Sequence, residues 1–374
     1  DKLSKGVTFL MKKNKVDYIE GEARFKTAHE LEVSGSDGSK VITGKNILIA
    51  TGSRPRQIPG FEFDEEQVIS STGALMMTEL PKKLVILGAG AIGMEFAYVM
   101  NGFGVDVTVV EMLDQILPIE DADAVEVVKK DFKKKGITMR TGTRATKLDK
   151  SKSGLKIGIE DKDGKADTLE ADKLLVAVGR QPNSESLNLE AVGVRTDRGF
   201  IESGDYYETN VSGIYAIGDV IKTPLLAHVA SKEGEIAVEH MAGHEVNPRL
   251  LPEHIPSAVY CDPQVASFGL TEAKAKEDGV EHKVAIFPYR GAGKSVAIEH
   301  AEGIVKIIYD PETHEMIGAH VAGKDATELI TELMLAKRTE LLPADIAETV
   351  HAHPTLSEAV MEAARAAEGW AIHA

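Results

Sequence analysis

Cysteine is almost absent from this sequence of 374 residues, in which Cys261 is the single example. One cysteine cannot form an intrachain disulfide, so a secreted fold held together by disulfide bridges has no support, and the reducing cytoplasm is the expected location. Because isolated buried cysteines commonly behave as small apolar side chains, Cys261 is predicted to fill space in a strand rather than to react.

Long apolar runs and an excess of basic residues are also lacking. No apolar run reaches the roughly 20 residues that a helix needs to cross a bilayer. The opening stretch, DKLSKGVTFLMKKNKV, has no initiator Met and no apolar core of a signal peptide. Acidic residues outnumber basic ones by 59 to 43, which gives a net charge of −16. We therefore expect a protein that binds neither nucleic acid nor an anionic membrane surface.

The hydrophobic pattern predicts an α/β protein. Residues 16–50, which end in NILIA, alternate between apolar and polar side chains as in a β-meander. After Pro81 come an apolar strand, a helix and a second apolar strand, and an amphipathic stretch ending at Gly136 predicts another helix. From about Pro252, short strands are followed by helices. For a chain long enough to form two or three domains, this order predicts parallel sheets followed by an α+β C-terminal domain.

A glycine-rich loop follows the apolar strand LVIL. Gly88, Gly90 and Gly93 have the G-x-G-x-x-G spacing of a dinucleotide-binding loop, with a strand before it and a helix after it. Such glycines permit a tight turn, a close approach of the backbone to a pyrophosphate, and packing of the helix on the strand. Glu111 ends the next strand, and a carboxylate there accepts hydrogen bonds from a ribose diol and repels a 2′-phosphate. The loop is therefore predicted to bind NAD in preference to NADP. The alternative is that it is a glycine-rich turn that binds no nucleotide.

Two further turns suggest a second nucleotide. The stretches ILIATGSRP and IYAIGDV each lead from a strand into a loop with a glycine, and Asp219 in the second could bond a polyol hydroxyl. The helix after Leu225 would direct its N-terminal N–H groups at an anion. Each turn alone is more readily explained as an ordinary loop. Together with GAGAIG, and in this order, they favour a second dinucleotide site.

The stretch HAHPTLSEAV, residues 351–360, allows two interpretations. Pro354 suits the first position of a helix and keeps His353 outside it. The first interpretation is a capped helix with Glu358 near its positive end. In the second, His353 folds back over the first turn, Glu358 fixes its tautomer, and the other ring nitrogen acts as a base. The motif alone favours the capped helix, and His351 is predicted to be structural.

Taken in this order, GAGAIG, the two glycine turns and HAHPTLSEAV resemble the flavoprotein pyridine nucleotide-disulfide oxidoreductases, and HAHPTLSEAV is most similar to their dihydrolipoamide dehydrogenase branch. The resemblance implies two dinucleotide-binding, Rossmann-like domains, the first incomplete, and a C-terminal α+β dimerisation domain. The implied boundaries are a partial FAD-binding domain at 1–80, an NAD-binding domain at 81–208, a returning FAD or central segment at 209–251, and the dimerisation domain at 252–374.

The resemblance also implies roles for particular residues. His353 would be the catalytic acid and base, and Glu358 would orient it. Glu95 would lie by the reactive edge of the flavin. The residues that would hold NAD are Gly88, Ala89, Gly90, Ala91, Ile92, Gly93 and Glu111, with Gly179 near the nicotinamide. The residues that would contact FAD are Ala50, Thr51, Gly52, Gly218, Asp219, Leu225, Leu226, Ala227 and His228.

The implied activity is the oxidation of dihydrolipoamide, with electrons passing through FAD to NAD⁺. The implied partners are a second copy of the chain, whose C-terminal domain would complete the site, and the lipoyl domains of 2-oxo acid dehydrogenase or glycine cleavage complexes. The family's first G-x-G-x-x-G and its Cys-x-x-x-x-Cys pair are not in this sequence. The chain is therefore expected to be a fragment without the redox disulfide, inactive by itself and poor at retaining FAD.

Three alternatives stay open. A pyridine nucleotide transhydrogenase needs no redox cysteine pair, so the single cysteine does not exclude one. Another disulfide reductase of the same fold would share the glycine loop. Glu111 and the HPTLSE run argue against both the transhydrogenase and this second alternative. A non-catalytic, dimerising nucleotide-binding remnant is the third alternative.

Overall fold

The computed structural model describes residues 2–36 and 38–373. The chain divides into two compact units. The first consists of residues up to 54 and of residues 181–250, and the second consists of residues 55–180 and of residues from 251 onward. Each unit is therefore built from two separate stretches of sequence.

The helices and strands follow the alternation that the sequence predicts. The helices are α1 Lys2–Lys13, α2 Ser71–Met76, α3 Ala91–Gly102, α4 Ala122–Lys134, α5 Ala227–Met241, α6 Glu272–Glu277, α7 Gly293–Ala297, α8 Ala326–Arg338, α9 Pro343–Glu348 and α10 Glu358–Ala367. The strands in the first part of the chain are β1 Glu22–Thr27, β2 Glu30–Gly35, β3 Gly38–Thr43, β4 Ile47–Ile49, β5 Ser53–Pro55, β6 Val68–Ile69, β7 Lys83–Leu87, β8 Asp106–Val110, β9 Thr138–Arg140, β10 Thr143–Ser151 and β11 Gly154–Asp161. The remaining strands are β12 Ala166–Ala171, β13 Lys173–Val176, β14 Arg180–Pro182, β15 Thr196–Asp197, β16 Phe200–Ile201, β17 Ile214–Ala216, β18 Ser257–Val259, β19 Gln264–Gly269, β20 Lys283–Pro288, β21 Ile304–Tyr309 and β22 Met316–Gly323.

In the first unit, β1, β2 and β3 form the predicted antiparallel meander. The prediction that NILIA continues this meander is wrong, because β4 pairs in parallel with β17, and the paired residues Ile49 and Ala216 are 167 positions apart in the sequence. Helix α5 packs its apolar side chains, including Ile236, against this parallel pair. The two glycine turns that follow β4 and β17 therefore lie at the same edge of one sheet.

The second unit contains a parallel sheet with strand order β6-β13-β7-β8-β9. Four consecutive side chains of β7, from Leu84 to Leu87, are buried, as expected for a parallel strand covered on both faces. Met94 and Ala97 of α3 and Phe132 of α4 pack on one face. The chain order reverses between β13 and β7, and ligands of such sheets bind at the carboxyl ends of the strands beside the reversal. The glycine loop begins directly after β7.

The same unit contains two antiparallel sheets. Strands β10, β11 and β12 form a meander whose buried face includes Leu155 and Ile157. The C-terminal part forms a sheet with order β18-β19-β22-β21-β20, covered by apolar side chains of α8 and α10 such as Leu333 and Ala363. The predicted α+β character of this part is confirmed. None of the described helices has the length and apolar character to cross a membrane.

A buried cation fixes the start of α4 to the C-terminal sheet. The Lys306 side chain on β21 is 1% exposed, and its Nζ lies 2.8 Å from an oxygen of Asp121, 2.6 Å from Asp123 and 2.8 Å from Glu272. Burial alone would raise the pKa of Asp121, but the bond from Lys306 and the other contacts lower it overall. For Glu272, the bonds from Lys276 and Lys306 lower the pKa. Both carboxylates are thus stabilised in the ionised form.

This network predicts a pH dependence of stability. A carboxylate whose pKa is lowered on folding stabilises the fold above its ordinary pKa, and this stabilisation is lost as the pH falls through the folded-state value. The melting temperature should therefore fall as the pH drops below about 4. Lys306→Met should weaken that dependence, whereas Lys156→Met, at an exposed lysine, should leave it unchanged. Calorimetry at several pH values measures this, and equal pH dependence in Lys306→Met and wild type would contradict it.

Candidate functional site

The glycine loop of the second unit has one open and two crowded positions. Gly88 has a φ of +99°, and a Cβ there would lie 2.5 Å from the carbonyl oxygen of Ala177. A Cβ on Gly93 would overlap the carbonyl oxygen of Gly88. A Cβ on Gly90 would meet nothing within 4 Å. The first and third glycines are thus required by packing, and the second leaves an open surface at the N-terminus of α3, as a pyrophosphate needs.

The remaining residues of the loop differ in how far they are exposed to solvent. Ala89 is buried, Ile92 is half-buried, and Ala91 at the first position of α3 is exposed. Gly90 is the N-cap residue of α3 and, as a glycine, provides no side-chain hydrogen bond to the first N–H groups of the helix. The N-terminal N–H groups of a helix of 12 residues therefore begin beside the open glycine.

Glu111 is held against this loop. It follows β8, where its Oε2 accepts a hydrogen bond from the Ala89 N–H at 2.8 Å and its Oε1 accepts one from the Leu113 N–H at 2.9 Å. Two backbone donors fix the carboxylate in place. The carboxylate is thus fixed beside Ala89, the residue that precedes the open position at Gly90.

Gly179 follows β13, the strand beside β7. It has a φ of +112°, and a Cβ there would meet nothing within 4 Å. Its carbonyl oxygen accepts a hydrogen bond from the Arg56 N–H at 3.0 Å. Since β7 and β13 are parallel neighbours, Gly179 and Gly88 follow their strands at the same edge of the sheet. Both lie where a nicotinamide dinucleotide would be expected to bind.

Glu95 lies on α3, two residues after the last glycine. Its Oε1 accepts a hydrogen bond from the Tyr260 N–H at 2.9 Å. Burial raises the pKa of Glu95, and the Tyr260 bond partly offsets this. No local sequence pattern indicates this contact, which joins residues 165 positions apart. The carboxylate is thus anchored on one oxygen to the C-terminal sheet segment.

Cys261 is next to that contact and is inert. It is 2% exposed, and its Sγ donates to the Pro263 carbonyl oxygen at 3.1 Å. Burial, with a smaller contribution from the charge of Glu95, raises the pKa of the thiol to about 12. A thiol with so high a pKa carries little of the reactive thiolate at neutral pH. The structure thus supports its role as a small apolar side chain.

In the first unit, the two glycine turns meet through side chains. Ser53 Oγ donates to Asp219 Oδ2 at 2.6 Å, and Thr51 Oγ1 donates to the Asn183 carbonyl oxygen at 2.7 Å. Ala50 and Thr51 are exposed, and Gly52 has a φ of +67°. The residues that follow β4 and β17 therefore meet at one edge of this parallel pair, where Ser53 orients Asp219.

A buried carboxylate accepts a hydrogen bond from the turn that follows β17. Glu233 of α5 has no exposed surface, and its Oε2 accepts a hydrogen bond from the Gly218 N–H at 2.7 Å. Burial raises the pKa of Glu233. The sequence pattern did not identify Ser53, Asn183 or Glu233 as site residues. An acidic residue in a helix position that faces the core was the available signal for Glu233, because such residues are rarely buried without a partner.

The start of α5 is open. Leu226 is the N-cap residue in an extended conformation, and the helix begins at Ala227. Leu225, Ala227 and His228 are exposed, and no side chain caps the helix. The run from Leu225 to His228 thus surrounds an uncapped N-terminus of a helix of 15 residues, a suitable place for an anion.

The structure brings His353 and Glu358 together. His353 Nδ1 is 3.0 Å from Glu358 Oε1, and Glu358 Oε2 accepts a hydrogen bond from the Thr355 N–H at 2.9 Å. The His353 side chain is 77% exposed and that of Glu358 is 19% exposed. Burial alone would raise the pKa of Glu358, but the Thr355 N–H, the His353 contact and the charges of His353 and His351 lower it overall. Glu358 is thus held as an ionised acceptor.

The predicted start of this helix at Pro354 is wrong. Helix α10 begins at Glu358, four residues later. The intervening residues form a turn in which Thr355 Oγ1 donates to the Ala352 carbonyl oxygen at 2.7 Å and the Thr355 N–H bonds Glu358. The turn, rather than a helical step, lets His353 reach Glu358.

His351 is separate from that pair. Its side chain is 5% exposed, its Nε2 is 2.7 Å from Glu332 Oε1 on α8, and its Nδ1 is 2.9 Å from the Thr349 carbonyl oxygen. A histidine with both ring nitrogens occupied is not available as a base. Its position agrees with the structural role predicted for it.

Comparisons with known proteins place these features in a family. The family model described as pyridine nucleotide-disulphide oxidoreductase matches residues 1–234, and the model of the dimerisation domain of the same family matches residues 255–364. A dihydrolipoyl dehydrogenase of Corynebacterium glutamicum is 45% identical over all of this chain and 80% of its own length. One of Rhizobium etli is 42% identical over all of this chain and 81% of its own length.

A solved structure agrees with the sequence relatives. LpdA from Mycobacterium tuberculosis superposes with a TM-score of 0.90 and 29% identity, covering 97% of this chain and 80% of its own. The matching family models cover both the nucleotide-binding and the C-terminal parts of the chain. The chain therefore belongs to the pyridine nucleotide-disulphide oxidoreductase family.

Proposed function

We propose that this chain carries the nucleotide-binding and acid–base parts of a dihydrolipoyl dehydrogenase that uses NAD and FAD. The observation that carries the proposal is the 3.0 Å contact between His353 Nδ1 and Glu358 Oε1. Relatives that match the chain over its whole length are dihydrolipoyl dehydrogenases, which supports the same reading. The proposed location is the cytoplasm.

His353 would act as the acid and base toward the thiols of dihydrolipoamide. With Glu358 ionised, the proton of the ring stays on Nδ1, and Nε2 is left with a lone pair. That nitrogen takes the proton of the attacking thiol, which makes the sulfur nucleophilic, and returns a proton to a leaving thiolate. Exposure of the ring allows a substrate to reach Nε2 directly.

The nucleotide sites would divide between the two units. In the second unit, the open surface at Gly90, the open position at Gly179 and the carboxylate of Glu111 fit NAD. In the first unit, Asp219 and the uncapped start of α5 fit the polyol and phosphate parts of FAD. When bound, these groups supply the hydride and electron transfer, and the protein supplies orientation and charge. Glu95 would lie beside the flavin.

The proposed assembly is a homodimer, supported by the match to a dimerisation domain over residues 255–364. The substrate would be presented on the lipoyl domains of 2-oxo acid dehydrogenase or glycine cleavage complexes. The boundaries 1–80, 81–208, 209–251 and 252–374 are proposed as the functional divisions of the chain.

Cofactor choice gives a direct test of the NAD site. Titration of the purified chain should show tighter binding of NAD than of NADP, by about tenfold or more, because a 2′-phosphate placed next to Glu111 is electrostatically unfavourable. Glu111→Gln keeps the size of the side chain and should narrow the difference by improving NADP binding. Glu126→Gln, an exposed acid on α4, is the control. Equal or tighter binding of NADP by the wild-type chain would refute the assignment.

A further inference from the structure

Asn183 holds the turn that follows β4 through both its backbone and its side chain. Its N–H donates to the Gly52 carbonyl oxygen at 2.9 Å, and its Nδ2 donates to the Thr51 carbonyl oxygen at 3.0 Å. Its own carbonyl oxygen accepts the hydrogen bond from Thr51 Oγ1 at 2.7 Å. A single residue, 132 positions after Thr51, thus occupies both carbonyl oxygens and the hydroxyl group of this turn.

The orientation of the Asn183 amide is fixed from its other end. Arg54 Nη1 donates to Asn183 Oδ1 at 3.0 Å, so that the amide oxygen accepts while its nitrogen donates to Thr51. Arg54 is itself held by Glu185, whose two carboxylate oxygens accept from Nη1 at 3.0 Å and from Nη2 at 2.7 Å. This ion pair is exposed and contributes little to stability, but its bidentate geometry fixes the direction of the guanidinium group.

The backbone donors of the turn are left for another group. Within the described part of the chain, the N–H groups of Thr51 and Gly52 make no hydrogen bond. Thr51 is exposed, and Gly52 is half-buried with a φ of +67°. Successive N–H groups next to a residue in the left-handed conformation commonly receive an anionic or other acceptor group. The turn therefore offers donors to a ligand, while its acceptors are used by Asn183.

The same contacts reach the carboxylate of Asp219. Ser53 directly follows the turn held by Asn183, and its Oγ donates to Asp219 Oδ2 at 2.6 Å. Arg54, the next residue, is bonded to Asn183 as well. Because Asn183 contacts the residues on both sides of Ser53, it fixes the backbone from which Ser53 orients Asp219.

We propose that Asn183 is a positioning residue of the FAD site, which holds the Thr51–Gly52 turn with its N–H groups available to the cofactor and fixes Ser53 against Asp219. This inference rests on the proposed binding of FAD at these turns. An asparagine is needed because its amide must accept from Arg54 and donate to Thr51 at the same time. An aspartate of the same shape would keep the first bond and place a second carboxylate oxygen against the Thr51 carbonyl oxygen.

Asn183→Asp separates positioning of the turn from general packing. In a version of the protein that carries the family's redox cysteine pair, the dissociation constant of FAD, measured by reconstitution of the apoprotein, should rise about tenfold or more, because the donor to Thr51 is lost. The visible circular dichroism of the bound flavin should also change. NAD binding should be unaffected. Asn247→Asp, at an exposed asparagine of the same unit, makes the same change of charge and should alter none of these quantities.

Glu185→Gln provides a second variant at an exposed position, where folding is not at risk. It keeps the size of the side chain and weakens the hold on Arg54, so the dissociation constant of FAD should rise about two- to threefold. NAD binding should again be unchanged. If Asn183→Asp does not fold, this variant decides the question, and wild-type FAD affinity in Glu185→Gln would then reject the proposal.

The outcomes distinguish this inference from the proposed function. Wild-type FAD affinity and flavin circular dichroism in folded Asn183→Asp would reject the positioning role and leave the FAD site intact. A lower melting temperature with unchanged FAD affinity would likewise show that Asn183 only contributes to packing. A wild-type protein with the cysteine pair that binds no FAD would instead reject the FAD site of the proposed function, and this inference with it.

Discussion

Replacing His353 by Ala is expected to lower dihydrolipoamide turnover by about 10²–10⁴-fold, in a version of the protein that carries the family's redox cysteine pair, because this is the usual effect of losing a general acid or base. Glu358→Gln should cost less, because a glutamine can still accept a hydrogen bond from His353 but cannot stabilise its positive charge. Steady-state assays of dihydrolipoamide oxidation measure both effects.

The control reactions make this prediction specific. Transfer of reducing equivalents from flavin to NAD does not require proton transfer at His353, so that half-reaction should be preserved in His353→Ala. His244→Ala, at an exposed histidine outside the turn, should leave the whole reaction unchanged. Wild-type turnover in His353→Ala would mean that HAHPTLSEAV is a turn and a helix start without a catalytic role.

The 374 residues by themselves are expected to give no lipoamide-dependent NADH formation. Electrons pass from a dithiol to a disulfide through thiolate attack on sulfur, which needs a pair of cysteines. The chain has a single cysteine, and that thiol is buried with a pKa raised to about 12. An activity assay of the purified chain, with NAD and dihydrolipoamide both present, tests this expectation.

Weak retention of FAD is the second part of the same expectation. The one G-x-G-x-x-G in the sequence, residues 88–93, belongs to the candidate NAD site. In the proposed FAD site, Asp219 and the start of α5 would therefore bind the cofactor without a G-x-G-x-x-G loop to bring backbone N–H groups to the pyrophosphate. Flavin absorbance of the purified chain measures retention, with NAD binding as the control for folding. A yellow protein with one flavin per chain would show that the remaining contacts suffice.

Local sequence patterns predicted the parts of the fold that depend on neighbouring residues. The strand, glycine loop and helix around Gly88 could be predicted because apolar periodicity and glycine spacing are themselves local. The alternation after residue 16 likewise predicted the meander, but it could not show that Ile47–Ile49 leaves that meander. The paired residues of this strand's partner are 167 positions away, and nothing in the short apolar run distinguishes a parallel from an antiparallel neighbour.

The supporting contacts of the candidate sites could not be predicted for the same reason. Glu95 bonds Tyr260, Glu233 bonds Gly218, and each partner is set by packing of separate elements. The predicted helix start at Pro354 is wrong for a different reason. Proline suits a first helical position, but hydrogen bonds made by Thr355 and Glu358 stabilise a turn there and delay the helix. Side-chain bonds of this kind compete with the helix without a distinctive spacing.

A comparison of substrates tests the central claim most directly. A version of the protein with the redox cysteine pair would be given dihydrolipoamide or reduced glutathione as the thiol donor, and NAD or NADP as the acceptor. We expect NADH formation with dihydrolipoamide and NAD, little reaction with glutathione or NADP, and loss of the reaction in His353→Ala. Hydride exchange between NADPH and NAD without any oxidation of dihydrolipoamide would contradict it and identify a transhydrogenase instead.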